Sequence, residues 1–364
     1  MKICYLGAAK SPIVRSWCIG MEKRGHDVVL ITAEPMRLKG IPQWVVGMKI
    51  RMKLVTFLTQ MMQTKMLIAG EGLDGDGFDI IHAHYAYGYG VLGAYAKFSP
   101  LVVTAMGNDI GISSEKSWLI RNGVKYTMKR MALMTVKDQL AVKRALELGC
   151  EAEKLMVLPS WCDTDLFTPK ARSHLLRDQW TGVNDDTVVV LFVRPMNEEY
   201  RARVLLDAME EVLTETNKVR FLVANRGDDH MIEAARHRGA QIIPKIPYDQ
   251  MHFYTASADV SVDTYYPEFD VGGHGHGTNF IEALASGTPV IVPNRPEYND
   301  GWMKGTRLYE KGNPSALAEA ILSLLDAKER RRLGNLGREA VCAHASERVC
   351  LDRMEKVYTE LSSR

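Results

Sequence analysis

The sequence predicts an α/β protein made of two successive doubly wound domains. Three observations point there. Short apolar strands alternate with helical stretches from residue 2 onward, the pattern of an open parallel sheet. The alternation breaks once, at residues 159–169, and then restarts. A chain of 364 residues suits two domains better than one. Hydrophobic content of 46% with 25% charged residues is that of a globular chain with a substantial core. A net charge of +2 selects no particular nucleic-acid or membrane partner. The six cysteines (4, 18, 150, 162, 342 and 350) form no CxxC pair and read as free thiols of a reducing cytoplasm. No signal peptide and no run of membrane-spanning length is expected.

In the first domain, taken as residues 1–160, Ile3 to Leu6 reads as a strand. Gly7 opens the turn that follows, residues 13–24 read as a helix, and Val28 to Thr32 as a second strand. Residues 44–69 read as one long helix. Lys49, Lys53, Thr56, Gln60 and Thr64 form a narrow polar stripe beside a broad apolar arc. Such a helix either packs into a core or lies on an anionic membrane surface. Asp79 to His84 is a strand that puts His82 and His84 on one face. Leu101 to Thr104 is a strand followed by the loop Met106-Gly107-Asn108-Asp109, and ligands of open α/β sheets gather at such strand ends. A helix at 117–131, a strand at 132–136, a helix at 138–148 and a strand at 154–158 complete this half.

Residues 159–169 carry two prolines and little periodicity and read as a linker. The second domain, 170–345, follows with strands at 187–194, 220–224, 241–243, 258–263, 289–292 and 306–309 and helices between them. A closing helix at 346–364 is expected to pack back on the first domain. Arg194 ends the first of these strands, where its planar fork suits a diphosphate and its charge would steady a departing nucleoside diphosphate. The competing reading is an ion pair with Glu198 or Glu199. Lys245 and Ile246 follow another strand and could line a base pocket. Residues 272–292 read as a glycine-rich loop, a helix and a strand. Gly275, Gly277, Thr278 and Asn279 lead into that helix, whose N-terminus is a ready anion site. Glu282 lies one turn in, where a carboxylate can accept from a ligand's hydroxyls. A phosphate at the loop and a polyol at the carboxylate together suggest a sugar nucleotide. His274 and His276 read as metal ligands, inert loop residues or hydrogen-bond partners of a sugar, and the spacing leaves all three open.

These residues resemble the motifs of GT-B-fold glycosyltransferases of family 4, retaining enzymes that use nucleotide sugars. Pro159, Asp163, Phe167 and Pro169 fall on the family's linker signature. Gly275, Gly277, Glu282, Ala283, Ala285, Gly287, Pro289 and Val290 fall on its E-G-F-G-x-x-x-x-E-A-x-A-x-G-x-P-V-V motif. The resemblance implies two Rossmann-like domains facing across a cleft, with the donor on the second. Arg194 would grip the diphosphate, Glu282 the ribose, and Gly7 the first-loop position. His84, Met106, Asn108 and Asp109 would fall on the acceptor side.

Three positions depart from the pattern. His274 replaces a donor-sugar Glu and, with Arg194, is read as catalytic. Met106 replaces the usual His of His-Gly-x-Asp. Arg201 substitutes for a Lys, because Glu199 and Tyr200 occupy its register. The implied reaction moves a sugar from a UDP- or GDP-sugar to a glycan or lipid-linked acceptor with retention, without cofactor or metal. It would run in the cytoplasm, with peripheral membrane contact through 44–69. Met106 and His274 motivate the alternative of a silent homologue that binds nucleotide or glycan and scaffolds a partner. An epimerase shares the fold, but no acid/base pair favours it.

Overall fold

The computed structural model describes residues 1–47, 53–73, 77–182, 186–266, 277–295 and 303–363. The chain divides into two compact units, the first formed mainly by residues 1–159 and 350–364, the second mainly by 160–268 and 276–349.

The first unit runs β1 (Lys2–Leu6), α1 (Pro12–Glu22), β2 (Asp27–Thr32), β3 (Gln43–Val45), α2 (Lys53–Leu73), β4 (Ile80–His84), α3 (Tyr89–Ala96), β5 (Leu101–Thr104), α4 (Ile112–Lys116), α5 (Trp118–Met128), β6 (Leu133–Val136), α6 (Gln139–Glu147) and β7 (Leu155–Val157). Its seven strands form one sheet in the order β3-β2-β1-β4-β5-β6-β7. Every pairing is parallel. A parallel sheet buries both faces, so its strands read as apolar runs; Ile3, Cys4, Tyr5 and Leu6 are all buried.

The second unit contains α7 (His174–Thr181), β8 (Val188–Phe192), α8 (Ala202–Glu215), β9 (Val219–Ala224), α9 (Asp229–His237), β10 (Gln241–Ile243), α10 (Met251–Ser257), β11 (Val260–Val262), α11 (Thr278–Ala285), β12 (Val290–Pro293), β13 (Thr306–Tyr309), α12 (Pro314–Ser323) and α13 (Ala327–His344). Its sheet runs β10-β9-β8-β11-β12-β13, again parallel throughout. α14 (Glu347–Ser362) closes the chain, and from Cys350 onward it belongs to the first unit. There its Tyr358 hydroxyl meets the Tyr5 hydroxyl at 3.2 Å and His82 Nδ1 at shorter range. All six cysteines are free thiols. Among the described residues no helix is long and apolar enough to cross a membrane.

Three expectations need correction. Residues 43–45 are not helical: β3 adds to the sheet edge, pairing Leu30 with Gln43 and Thr32 with Val45. Trp44 rests near the Phe78 ring, with centroids 5.9 Å apart. A three-residue strand is too short to show its period of two, so the helical pattern beside it absorbed it. α2 also faces the other way from a core-packed amphipathic helix. Thr64, from the expected polar stripe, is buried, and much of the apolar arc is exposed. Lys49 and Arg51 lie outside the described residues.

The segment read as a linker is integrated into the second unit. Cys162 accepts a backbone hydrogen bond from Glu347 at 2.8 Å. Phe167 is buried in a cluster with Phe280 and Leu284. Proline content there marks a chain without regular structure, which need not be a chain without packing.

Candidate functional site

In an open α/β sheet the crevice forms where successive crossovers leave in opposite directions. In the second sheet that point lies between β8 and β11. Arg194 stands just past β8 and Asp263 just past β11. The Arg194 guanidinium donates to Asp263 Oδ2 from Nε at 3.0 Å and from Nη2 at 2.7 Å. The Tyr200 ring lies 5.4 Å from the guanidinium carbon. Asp263 is itself fixed by accepting from the Tyr265 backbone N–H at 3.0 Å. The competing reading, an ion pair with Glu198 or Glu199, finds a different carboxylate: Arg194 pairs with Asp263, while Glu198 pairs with Arg203 at 3.1 Å. Sequence proximity misled here because a strand end meets its neighbours across the sheet.

α11 enters the same place. Gly277 is its N-cap residue. A methyl group there would sit 2.4 Å from Arg194 Nη2 and 2.6 Å from Asn279 Oδ1. The absent side chain therefore lets the guanidinium approach the helix start. Thr278 and Asn279 form the first turn. At the other end, α13 braces α11 through Arg338, which donates to the carbonyls of Ala285 and Phe167, the latter at 2.9 Å. Close packing is possible because a methyl group at Gly334 would overlap the Gly287 carbonyl.

Glu282 is buried one turn into α11. Burial pushes its carboxyl up to about 7, against the opposing pulls of a Tyr248 hydrogen bond and the Arg194 charge. Its Oε1 has no hydrogen-bond partner among the described residues. A buried carboxylate oxygen left without a donor is costly unless something supplies one. Tyr248 lies in the segment before α10 and is also pushed up by burial and by Glu282.

The other donor-side residues are more dispersed. Arg201 adopts a left-handed conformation (φ 53°) as the N-cap of α8. Its guanidinium carbon lies 5.0 Å from the Tyr266 ring, which Lys311 approaches at 5.1 Å. Lys245 is exposed, whereas Ile246 is buried against Trp180 and Leu191. His274, Gly275 and His276 lie outside the described residues.

The equivalent switch point of the first sheet lies between β1 and β4. Gly7 follows β1, where a methyl group would sit 2.9 Å from Val14 Cγ2 and 3.6 Å from His84 Cβ. His84 is fully buried, with its ring stacked on His82 at 4.8 Å. Burial drives it down to about 3, so it is a neutral core residue. Asp109 is buried as well: it accepts from Ala86 at 2.5 Å, Met106 at 3.1 Å and Gly107 at 2.9 Å. It therefore ties the loop after β5 to the loop after β4. Both side chains are buried, and neither ring nitrogen of His84 has a hydrogen-bond partner among the described residues. Asn108 is exposed and Met106 half-buried in that loop.

Sequence reasoning missed Asp263 and Tyr248. Asp263 had a signal, a charged residue directly after an apolar strand, the same one that marked Arg194. Tyr248 had none, since only tertiary packing brings it to Glu282.

Two family models match the chain in succession: "Glycosyl transferase 4-like" over residues 2–138 and "Glycosyl transferases group 1" over residues 187–327. The MMP alpha-(1->4)-mannosyltransferase of Mycolicibacterium hassiacum is 25% identical over 291 residues, 73% of this chain and 66% of that one. The alpha-monoglucosyldiacylglycerol synthase of Streptococcus pneumoniae is 24% identical over 344 residues, 87% of this chain and 76% of that one. The chain thus spans about two thirds to three quarters of these relatives' lengths. Among solved structures, Anabaena HepE in complex with UDP and glucose superposes with a TM-score of 0.77 at 16% identity, covering 99% of this chain and 100% of that one. With two parallel-sheet units, this fold and a family match in each half, the chain belongs to the GT-B glycosyltransferases of the family 4 type.

Proposed function

We propose that the enzyme moves a sugar, with retention, from a UDP- or GDP-sugar to a hydroxyl of a glycan or lipid-linked acceptor. The observation that carries this reading is the buried Glu282 Oε1 without a partner, one turn from the glycine N-cap that Arg194 abuts. Ribose hydroxyls are donors that would satisfy this oxygen, and binding them favours the ionised carboxylate. The diphosphate would meet Arg194 and the N–H groups of α11, with no metal needed to offset its charge. Asp263 would hold the guanidinium in one direction while charge builds on the leaving phosphate. The acceptor hydroxyl would attack on the face that the diphosphate leaves, its proton passing to a phosphate oxygen. Met106 and Asn108 would border the acceptor, and His274, Gly275 and His276 the donor sugar. The named relatives act on mannosyl and glucosyl groups, and HepE is seen with UDP and glucose, which favours a UDP- or GDP-hexose.

The test is nucleotide release across a panel of UDP- and GDP-hexoses. One or two donors should be turned over well above the rest, without added divalent metal. A flat panel, with no nucleotide binding by calorimetry, would refute the reading.

A further inference from the structure

We propose that a cavity at the base of the second unit binds a small phosphate anion, as inorganic phosphate or a phosphate monoester. The inference stands on this cavity's own geometry and goes beyond the donor chemistry above. Arg194 and Asp263 follow the carboxyl ends of β8 and β11. The cavity, of about 300 Å³, lies at the opposite end of the same sheet. Ala258 and Asp259, which precede β11, and Thr288 and Pro289, which precede β12, line it.

Three arginines meet there from two stretches of chain. Arg172 follows the segment that buries Phe167, and Arg330 and Arg331 belong to the first two turns of α13. Among the described residues Asp259 is the only carboxylate in the lining, and it is already committed. Its Oδ2 accepts from Nη1 of the buried Arg177 at 2.5 Å and from the Val189 N–H at 2.8 Å, while Arg172 Nη2 reaches Oδ1 at 3.4 Å. The neighbouring acids of α13 are engaged elsewhere. Asp326 caps the helix by accepting from the Lys328 N–H at 2.8 Å, and Glu329 pairs with Arg307 and Arg332 at 2.7 Å each.

The guanidiniums keep donors in reserve. Arg330 Nη1 makes both of that side chain's hydrogen bonds among the described residues, to the Leu324 and Leu325 carbonyls, which leaves Nε and Nη2. Arg331 uses only Nε, on the Ala327 carbonyl at 3.3 Å. Burial lowers the Arg330 pKa, and the Arg177 and Arg172 charges lower it further against the pull of Asp259 and Asp326. Like charges gathered around one committed carboxylate repel one another, and a bound anion relieves that repulsion. A single fork fills both oxygens of a carboxylate, whereas a tetrahedral phosphate offers oxygens to forks arriving from several directions. The remaining volume suits a small ester group.

The experiment titrates the full chain calorimetrically with inorganic phosphate and, separately, with glycerol 3-phosphate, at an ionic strength held constant with chloride. At least one should bind and raise Tm, and the tighter of the two identifies the occupant. Arg194→Ala, which weakens any binding in the donor crevice, should still bind it. In that background and in the wild type, Arg172→Gln/Arg331→Gln should weaken binding at this cavity by about tenfold or more, and Arg331→Gln alone by less. Both side chains are exposed, so Tm and nucleotide release in phosphate-free buffer should match the wild type in these variants. No binding of either probe at millimolar concentration, undiminished binding by the double in the Arg194→Ala background, or loss of all binding in Arg194→Ala overturns the proposal. Nucleotide release in phosphate-free buffer tests the donor reading separately.

Discussion

The two units repeat one topology and do different things with it. In each sheet the first strand is flanked by the second and the fourth, so each has a switch point at the carboxyl ends of that central pair. In the first unit that point is occupied by Gly7 and by His82 and His84, buried neutral rings packed with Tyr5 and Trp17. In the second it is occupied by Arg194, Asp263 and the buried Glu282. The shared backbone path produces two crevices. The side chain that each strand presents on leaving the sheet decides whether the crevice is packed shut or left charged. Both sites hold buried polar atoms without a partner among the described residues, His84 Nδ1 and Nε2 in the first and Glu282 Oε1 in the second, while His82 is satisfied by Tyr358 and Thr104.

The largest test of this contrast is Arg194→Ala. Removing a cation from beside the leaving diphosphate should cost about 3–4 kcal/mol of transition-state stabilisation, a loss of about 10²–10³ in turnover. Nucleotide-release kinetics on the best donor would show it, and a change below tenfold would mean that the charged crevice is not where the diphosphate sits.

The next test uses pH, because the two crevices should respond in opposite directions. Glu282 is raised from 4.5 to about 7. The fold retains a proton that the unfolded chain has lost, so its contribution is full below 4.5 and disappears as pH rises through 7. His84 is lowered from 6.5 to about 3. The unfolded chain takes up its proton first, so stability is full above 6.5 and declines as pH falls toward 3. Each pH unit between folded and unfolded values is worth about 1.4 kcal/mol at most. Thermal unfolding from pH 4 to 8 should show Glu282→Gln removing the loss on the alkaline side and His84→Gln the loss on the acid side. If both variants keep the wild-type pH profile, the assignment fails. Nucleotide affinity should also fall as pH drops below about 7, since ribose hydroxyls need the ionised carboxylate.

The smallest expected effect is Tyr358→Phe. Deleting this hydroxyl leaves His82 Nδ1 and the Tyr5 hydroxyl without it, a cost of about 1–3 kcal/mol, visible as a lower Tm. Nucleotide release at a temperature well below that Tm should be unchanged. A matching fall in turnover would show that the first crevice is functional rather than packed.

The fold was legible because parallel strands buried on both faces leave apolar runs, and the helices between them carry their own period. β13 at Thr306–Tyr309 and β10 at Gln241–Ile243 were readable to the residue. β3 was not, being too short to display a period. Arg194, Gly277 and Glu282 were legible as candidates because ligands of open α/β sheets gather at strand ends and at glycine-led helix starts. Their mutual arrangement was not, since Asp263 reaches Arg194 across 69 positions of sequence.

What the sequence determined by itself was therefore the sequence-local part: the alternation of elements, the doubly wound class, the glycine-led helix start and the motif that places the chain among glycosyltransferases. Tertiary structure alone decided which side of α2 faces water, which carboxylate holds Arg194, and that His84 and Asp109 are sealed inside. Periodicity fixes which residues share a face, but only the packing of neighbouring elements decides whether that face meets the core, a ligand or the solvent.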